Sequence, residues 1–234
     1  MQPVELDEPL RPLPAASGVD LWLVDLAAPA TSAALATLSE HERSRAARFV
    51  FEQDRRRYQV AHGVLRSLLG ERLGEAPGDI ALLYGPHEKP AVAAHYGCAF
   101  NLSHSGDLAL IGIARDLPGG AEIGIDIEEL RAVSDASALA RANFTRAEQD
   151  ELARVAPAQR DRLFLSGWTR KEACLKAAGT GLSVAPATFE CGLAPRRAQT
   201  RVATLAGVVE IEVDSIDIGP RGVAALAVTT RTRR

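Results

Sequence analysis

The sequence predicts a mixed α/β (α+β) protein of two similar lobes, each with a sheet and helices, related by a pseudo-two-fold axis. The break at Asp116–Gly120 is the strongest in the chain and falls close to its midpoint. On each side of this break a strand is followed by helices and then by further strands. The 234 residues suffice for one wide domain or two smaller ones. We expect an N-terminal lobe at residues 1–117 and a C-terminal lobe at residues 118–234.

The composition is that of an ordinary globular protein, with 47% hydrophobic and 24% charged residues. A formal net charge of −3 argues against a general nucleic-acid-binding protein. Cys98, Cys174 and Cys191 share no metal-type spacing, and their odd number suits a reducing compartment. The N-terminus lacks the basic start and apolar core of a signal peptide, and no apolar run approaches membrane-spanning length. We expect a cytoplasmic protein without a membrane segment.

The N-terminal half begins with a Pro-rich segment, residues 1 to about 18, which we expect to be irregular. Residues 19–26 alternate as a strand does. Ser39 and Glu42 have the spacing of a capping box, so one or two helices begin here and extend to about residue 73. The other predicted elements of this half are a short strand at 80–84, a turn at 85–90 and an apolar strand at 108–114.

The helical region between residues 39 and 73 is rich in arginine. Such a run most often marks a solvated helix face, and binding of an anion is the alternative. Because Arg55, Arg56 and Arg57 point in different directions, at most two of these three serve a single anion. The arginines of the region are Arg43, Arg45, Arg48, Arg55, Arg56, Arg57 and Arg66.

A polar stretch precedes the apolar strand at 108–114. Asn101, Ser103, His104 and Ser105 place hydrogen-bonding groups between Phe100 and that strand. This composition is typical of a turn that faces a ligand. A purely structural role for His104 is the alternative.

The C-terminal half begins with the predicted strand Ile123–Glu128. Its three isoleucines share one face, and Asp126 and Glu128 share the other. Side chains two positions apart on a strand are roughly 6.5–7 Å apart, so two carboxylates project side by side. This arrangement is costly unless a cation lies between the carboxylates or water surrounds them both. The strand alone leaves both possibilities open.

A helical region at about 134–178 follows and ends at Gly179, a residue suited to the left-handed cap. The helical wheel puts Lys171 within the apolar arc, so Lys171 needs a buried partner or a route to solvent. Glu172 and Lys176 lie four residues apart on the flank, where an ordinary surface ion pair is worth about 0.3–0.5 kcal/mol. Three further strands are expected at 188–193, 208–213 and 223–228.

Four motifs occur in an order that resembles the 4′-phosphopantetheinyl transferase family, and in particular its larger, surfactin-synthetase type. Ile123–Glu128, followed about forty residues later by Trp168–Gly181, resembles the signature pair of the family. Asn101–Ser105 resembles the motif that precedes the acidic strand, and Leu38–Tyr58 resembles the N-terminal helix. The resemblance extends over residues 19–182.

The resemblance implies that coenzyme A lies across a cleft between the lobes, with its nucleotide on the N-terminal lobe and the reaction on the C-terminal lobe. Asp126, Glu128 and Glu172 would bind Mg²⁺, a cation that prefers oxygen ligands and would neutralise the paired strand carboxylates. The residues that the resemblance assigns to coenzyme A are Arg45, Arg57, Lys89, Ser103, His104 and Lys176.

The resemblance also implies a reaction. The serine hydroxyl of an apo acyl, peptidyl or aryl carrier protein would attack the β-phosphorus of coenzyme A, accept the 4′-phosphopantetheine arm and release 3′,5′-ADP. Glu172, or a metal-bound hydroxide that it positions, would take the serine proton. Glu172, Lys176 and His104 would be the catalytic residues. We expect a monomer whose partners are coenzyme A and the carrier protein, with no nucleic acid and no membrane.

The chain departs from the family pattern at two positions. Glu88 replaces the Gly of the usual Gly-Lys-Pro turn, and Glu42 stands where some relatives carry a basic residue, so the 3′-phosphate site would depend more on Arg43, Arg45 and Arg57.

Two other classes of protein remain: a Mg²⁺-dependent hydrolase that cleaves coenzyme A with water, and a non-catalytic module with the same fold. The presence of all three carboxylates and of Lys176 disfavours the second class.

Overall fold

The structure is a computed structural model that describes residues 9–85 and 89–233, with side chains described as far as residue 230. The chain forms two four-stranded antiparallel sheets and a two-stranded ribbon. The strands are β1 (Leu10–Ala16), β2 (Val19–Asp25), β3 (Leu83–Tyr84), β4 (Pro90–Ala91), β5 (Cys98–Ser105), β6 (Leu108–Arg115), β7 (Ile123–Glu129), β8 (Ala198–Thr204), β9 (Gly207–Ile216) and β10 (Gly222–Arg233).

Six α-helices accompany the sheets in the described part of the chain. None of them combines the length and the apolar character needed to cross a membrane. The helices are α1 (Ser32–Thr37), α2 (Glu40–Ala46), α3 (Glu52–Leu73), α4 (Ala136–Asn143), α5 (Arg146–Arg154) and α6 (Pro157–Ala178).

The two halves of the chain are built alike. The first sheet has the order β1-β2-β6-β5 and the second the order β7-β10-β9-β8. The run β2-β6-β5 corresponds to the run β7-β10-β9, and the fourth strand is added beside β2 in the first sheet and beside β9 in the second. One face of each sheet packs into a shared apolar core, to which β2 contributes Leu21 and Leu23 and β7 contributes Ile125 and Ile127. The other faces pack against the long helices. The mixed α/β prediction is therefore confirmed, whereas a domain boundary at residue 117 stays a prediction.

The long helices α3 and α6 each contain 22 residues and end at a glycine in the left-handed region. Gly74 has φ 71° and Gly179 has φ 69°, values that favour glycine. The C-terminal cap that the sequence predicts at Gly179 is thus confirmed.

Each long helix is also attached to its half by a buried ion pair. The short helices α2 and α5 both begin with a capping box, and the acidic residue of each box, Glu42 or Glu148, is buried. Glu42 binds Arg66 Nε at 2.6 Å, and Glu148 binds Lys171 Nζ at 2.7 Å. Arg66 and Lys171 are each the fifteenth residue of their helix. The buried partner that Lys171 requires is therefore Glu148.

Both cations of these ion pairs also hold the segment that follows their helix. Arg66 Nη1 donates to the carbonyl oxygens of Pro77 and Ile80, at 2.8 and 3.1 Å. Lys171 Nζ donates to the carbonyl oxygens of Pro186, at 3.0 Å, and Phe189. A buried ion pair thus ties three segments of each half together.

The sequence prediction is wrong in several segments. Residues 10–16 are strand β1 rather than irregular, because an edge strand tolerates proline at positions 12 and 14. Residues 101–105 continue strand β5, and the turn comes only at residues 106–107. The strand predicted at 80–84 shortens to two residues. No strand forms at 188–193, and β8 at 198–204 replaces it as the outer strand.

Candidate active site

The two halves meet where β5 and β7 run side by side. Three polar side chains of β5 contact residues 125, 126 and 128 of β7. Because the residue numbers increase together on both strands, the strands point in the same direction. The β5 residues alternate, so they share one face of that strand. The contacts are Asn101 Oδ1 accepting from the Ile125 N–H at 2.8 Å, Ser103 Oγ donating to Asp126 Oδ1 at 2.7 Å and Ser105 Oγ donating to Glu128 Oε2 at 2.6 Å.

Helix α6 approaches β7 at Gly124. A Cβ atom on this residue would lie 2.2 Å from the carbonyl oxygen of Ala173 and 2.4 Å from the nitrogen of Ala177. Only glycine permits such a close approach of helix and strand. The last turns of α6 are thereby brought over the two carboxylates of the strand.

Lys176 projects from this part of α6 and binds the strand. Its Nζ donates to Asp126 Oδ1 at 2.6 Å, to Ser103 Oγ at 2.9 Å and to the carbonyl oxygen of Ile125 at 3.1 Å. An ion pair with Glu172, the ordinary alternative from the sequence, is not among the contacts of Lys176. The lysine therefore joins α6, β7 and β5.

The strand carboxylates each keep one oxygen without a hydrogen bond. Asp126 uses Oδ1 for both Ser103 and Lys176. Glu128 uses Oε2 for Ser105 and for Arg131 Nη1, each at 2.6 Å. Among the contacts of the described residues, Asp126 Oδ2, Glu128 Oε1 and both oxygens of Glu172 receive no hydrogen bond. These four oxygens are available to a ligand.

The carboxylates near Lys176 outnumber it, so the cluster has an excess of negative charge. Burial is the main reason why the pKa of Asp126 is raised, and Lys176 opposes this shift. Burial also raises the pKa of Glu172, followed by repulsion from Asp126 and, more weakly, from Glu128. Three carboxylates that repel one another and offer free oxygens are suited to a hard divalent cation. Across residues 9–85 and 89–230, however, no three His, Cys, Asp or Glu side chains already converge as a metal-binding group.

His104 lies on β5 between the two serines that contact the carboxylates. Its side chain remains exposed, yet its pKa is lowered, first by loss of hydration and then by the positive charges of Lys176, His62 and Arg57. A lowered pKa favours the neutral imidazole, which offers one donor and one acceptor. His104 is thus close enough to Lys176 for the positive charge of the lysine to lower its pKa further.

Lys89 connects the two halves beside a cavity of about 530 Å³. Its Nζ donates to Glu122 Oε2 at 3.1 Å and to the carbonyl oxygens of Ile123 and Lys176, at 2.9 and 3.1 Å. Residues within the ranges 83–85 and 89–100 of the first half, together with Glu122 and residues 177–179 of the second, line the cavity. Glu88, whose replacement of a glycine the sequence analysis noted, lies outside the described residues.

The predicted anion-binding arginines already have partners in this structure. Arg57 donates from Nε to Asp107 Oδ1 at 2.9 Å and from Nη1 to Asp54 Oδ1 at 3.2 Å, and the hydrogen bond to Asp107 raises its pKa. The guanidinium carbon of Arg45 lies 5.9 Å from the centre of the Tyr58 ring. None of these contacts between described residues joins Arg45 or Arg57 to the cluster around Lys176, and their role at the 3′-phosphate stays a prediction.

Two residues that contact Glu128, Ser105 and Arg131, were given no role at the metal site by the sequence analysis. The sequence pattern could have identified Ser105, because Asn101, Ser103 and Ser105 alternate as residues on one face of a strand do. Interpretation of this stretch as a turn concealed that pattern. The sequence could not identify Arg131 as a partner of Glu128, because nothing in its sequence context distinguishes it from any exposed arginine.

Known protein families match both halves of the chain. A model described as the 4′-phosphopantetheinyl transferase superfamily matches residues 122–226. A second model, described as the N-terminal part of 4′-phosphopantetheinyl transferase, matches residues 27–115. The first match contains β7 and α6, and the second contains α2, α3 and β5.

Individual relatives support the same assignment. The chain is 40% identical over 170 residues to the 4′-phosphopantetheinyl transferase HetI of Nostoc sp. (strain PCC 7120), covering 70% of each protein. It is 31% identical over 156 residues to the 4′-phosphopantetheinyl transferase psf-1 of Bacillus pumilus, covering 67% of this chain and 64% of that one. It is 40% identical over 114 residues to AcpT of Escherichia coli K12, covering 49% and 55%. The chain belongs to the 4′-phosphopantetheinyl transferase superfamily.

Proposed function

We propose that this protein transfers the 4′-phosphopantetheine arm of coenzyme A to a serine hydroxyl of an apo acyl, peptidyl or aryl carrier protein, with Mg²⁺ as cofactor. The observation that carries the proposal is the junction of β5, β7 and α6. There, Lys176 binds Asp126, Glu128 lies two residues further along the same strand, and burial and the nearby charges of both carboxylates raise the pKa of Glu172. Among the contacts of the described residues, four oxygens of these three carboxylates receive no hydrogen bond. Family membership supports the reaction, and the chemistry of the junction supports the residues assigned to it. The surfactin-synthetase subtype stays a prediction.

Asp126, Glu128 and Glu172 are the proposed ligands of Mg²⁺. The free oxygens of all three and their mutual repulsion fit a hard cation. When bound, Mg²⁺ neutralises charge on the diphosphate of coenzyme A. Lys176 is already fixed to Asp126 at 2.6 Å and carries a compact charge toward the same region. Phosphoryl transfer depends mainly on such positioning and charge neutralisation.

The remaining residues are assigned to parts of coenzyme A, which would extend from the cavity to the junction. Lys89 lies at the cavity and contacts the backbone of Lys176, so we assign it to the diphosphate or nucleotide end. Ser103 contacts Lys176, and His104 is the next residue along β5; both are assigned to phosphate oxygens. Arg45 and Arg57 are proposed at the 3′-phosphate, for which Arg57 would have to exchange its contacts with Asp54 and Asp107.

In the proposed reaction, the serine oxygen of the carrier forms a bond to the β-phosphorus of coenzyme A. The bond from this phosphorus to the oxygen of the leaving nucleotide breaks, and 3′,5′-ADP carries the electron pair away. Glu172 accepts the serine proton. Lys176 compensates the charge that develops on the leaving phosphate.

The test is the intact mass of an apo carrier protein incubated with coenzyme A, Mg²⁺ and this protein. We expect the mass of the carrier to rise by one phosphopantetheine group and 3′,5′-ADP to appear in equal amount. Glu172→Gln serves as the matched control, since it keeps the size of the side chain but removes the base. Loss of coenzyme A without modification of the carrier would indicate a hydrolase instead, and no turnover at all would indicate a binding module.

A further inference from the structure

Glu128 is held from two sides at a single oxygen. Ser105 Oγ, from β5 of the first half, and Arg131 Nη1, from the segment after β7, each lie 2.6 Å from Glu128 Oε2. Oε1 has no hydrogen bond among the described residues. The carboxylate is only 15% exposed, so its orientation is determined largely by these two partners.

The same arrangement occurs at Asp126, two residues earlier. Ser103 Oγ, also from β5, and Lys176 Nζ both bind Asp126 Oδ1, at 2.7 and 2.6 Å. At each carboxylate, a serine and a cation thus fix one oxygen and leave the other free. Because the serines and the carboxylates are both spaced by two residues, the oxygens without hydrogen bonds belong to two neighbouring carboxylates that are held in the same manner.

The two partners of Glu128 differ in how well they can hold it. Arg131 is 56% exposed and carries a positive charge, which repels a second cation while it orients the carboxylate. These two effects on cation affinity oppose each other. Ser105 is neutral and belongs to a strand, so its hydroxyl contributes orientation without repulsion. Ser105 is therefore the residue whose effect has a definite sign.

We propose that Ser105 is a positioning residue, whose hydroxyl orients Glu128 so that Oε1 faces the divalent cation. This inference rests on the metal site of the proposed function. Hydrogen-bond partners of metal ligands fix the direction of the ligand, and their loss typically weakens metal affinity by about 10- to 100-fold. Ser105 thereby makes the first half of the chain a contributor to cation binding by the second half.

The experiment measures Mn²⁺ binding to the full chain by electron paramagnetic resonance, without coenzyme A and without turnover. Ser105→Thr and Ser105→Val have the same shape and differ in the hydroxyl group. We expect the dissociation constant of the Val variant to be about 10- to 100-fold above that of the Thr variant, which stays near the wild-type value. Ser44→Ala, which removes a 3.4 Å contact of an exposed serine with Glu40, is the control and should leave binding unchanged.

Melting temperatures of the metal-free variants separate positioning from stability. Equal dissociation constants for the Thr and Val variants overturn the inference, whether or not their melting temperatures differ. Absence of Mn²⁺ binding to the wild-type protein overturns the inference and the metal assignment together. The carrier-modification assay is independent of this titration, so failure of the inference and failure of the transferase proposal can be distinguished.

Discussion

In both halves of the chain, the strand that precedes the helices packs against a 22-residue helix, but the residue at this contact differs. In β2, Trp22 lies between two core leucines and faces α3, whereas in β7, Asp126 lies between two core isoleucines and faces α6. Both helices carry a cation in their last turn. Arg72 lies 5.3 Å from the Trp22 ring, and Lys176 lies 2.6 Å from Asp126 Oδ1.

This comparison separates the scaffold from the site. The features that the halves share are a run of three paired strands, the helix length, the glycine cap and the buried ion pair, and all of them stabilise the fold. The features that differ lie at the contact between strand and helix. In the first half an aromatic ring and Arg72 form a cation–π contact, which is a structural interaction. In the second half the same contact holds carboxylates with free oxygens, which are chemically useful.

The largest effect on stability is expected from the buried ion pairs. Removal of one partner leaves a buried charge uncompensated, which costs about 3–5 kcal/mol. We expect Arg66→Met and Lys171→Met to lower the free energy of unfolding in urea by similar amounts within this range. The double variant Glu148→Gln/Lys171→Met should be more stable than Lys171→Met alone. A cost below about 1 kcal/mol for one of the two single variants would show that the halves are not equivalent.

A second prediction concerns the pH dependence of the ion pair in the first half. The pKa of Glu42 is lowered to about 2, because hydrogen bonds from His62, Ser39 and Arg66 outweigh the effect of burial. A lowered pKa stabilises the fold above the unfolded-state value of 4.5, and this contribution, about 3 kcal/mol, is lost as the pH falls toward 2. The difference in unfolding free energy between wild type and Glu42→Gln should therefore shrink between pH 6 and pH 3. A constant difference would contradict the assignment.

A third prediction concerns the cations in the last turns of the two helices. As a phosphate ligand, Lys176 contributes a charge-assisted contact of roughly 1.5–3 kcal/mol, so Lys176→Met should reduce kcat about 10- to 100-fold. Lys176→Arg should retain coenzyme A binding but lose much of the turnover, because a planar guanidinium cannot reproduce the geometry of the ammonium group. Arg72→Met is the matched control and should leave kcat unchanged. Wild-type turnover of Lys176→Met would place the phosphate site elsewhere.

The sequence predicted those parts of the molecule that depend on local patterns. The capping box of Ser39 and Glu42, the cap at Gly179 and the acidic strand with its isoleucine face follow from spacings within a few residues. The candidate residues Ser103, Asp126 and Lys176 do come together in the structure. Their actual pairing was not predictable, because Lys176 and Asp126 are 50 positions apart and Glu172 was the nearer partner in sequence.

The failed strand at 188–193 has a physical explanation. Its alternating pattern is real, since Phe189, Cys191 and Leu193 are buried. The backbone groups of the segment, however, bond to side chains instead of a neighbouring strand. Glu148 accepts from the Cys191 and Gly192 N–H groups, at 3.0 and 3.1 Å, and the same carboxylate binds Lys171. The buried ion pair of the second half thus competes with strand formation, and a local pattern does not contain that information.

The most direct test of the central claim, that the strand–helix contact of the second half carries the reaction, compares Asp126→Asn with Trp22→Leu. The measurement is the rate at which an apo carrier protein gains the phosphopantetheine mass at limiting Mg²⁺. We expect Asp126→Asn to fold, by circular dichroism, and to lose at least about a thousandfold in rate. Trp22→Leu should lose about 1–3 kcal/mol of stability and retain its rate. A near wild-type rate for Asp126→Asn, or a comparable loss of rate in a folded Trp22→Leu protein, would contradict the account.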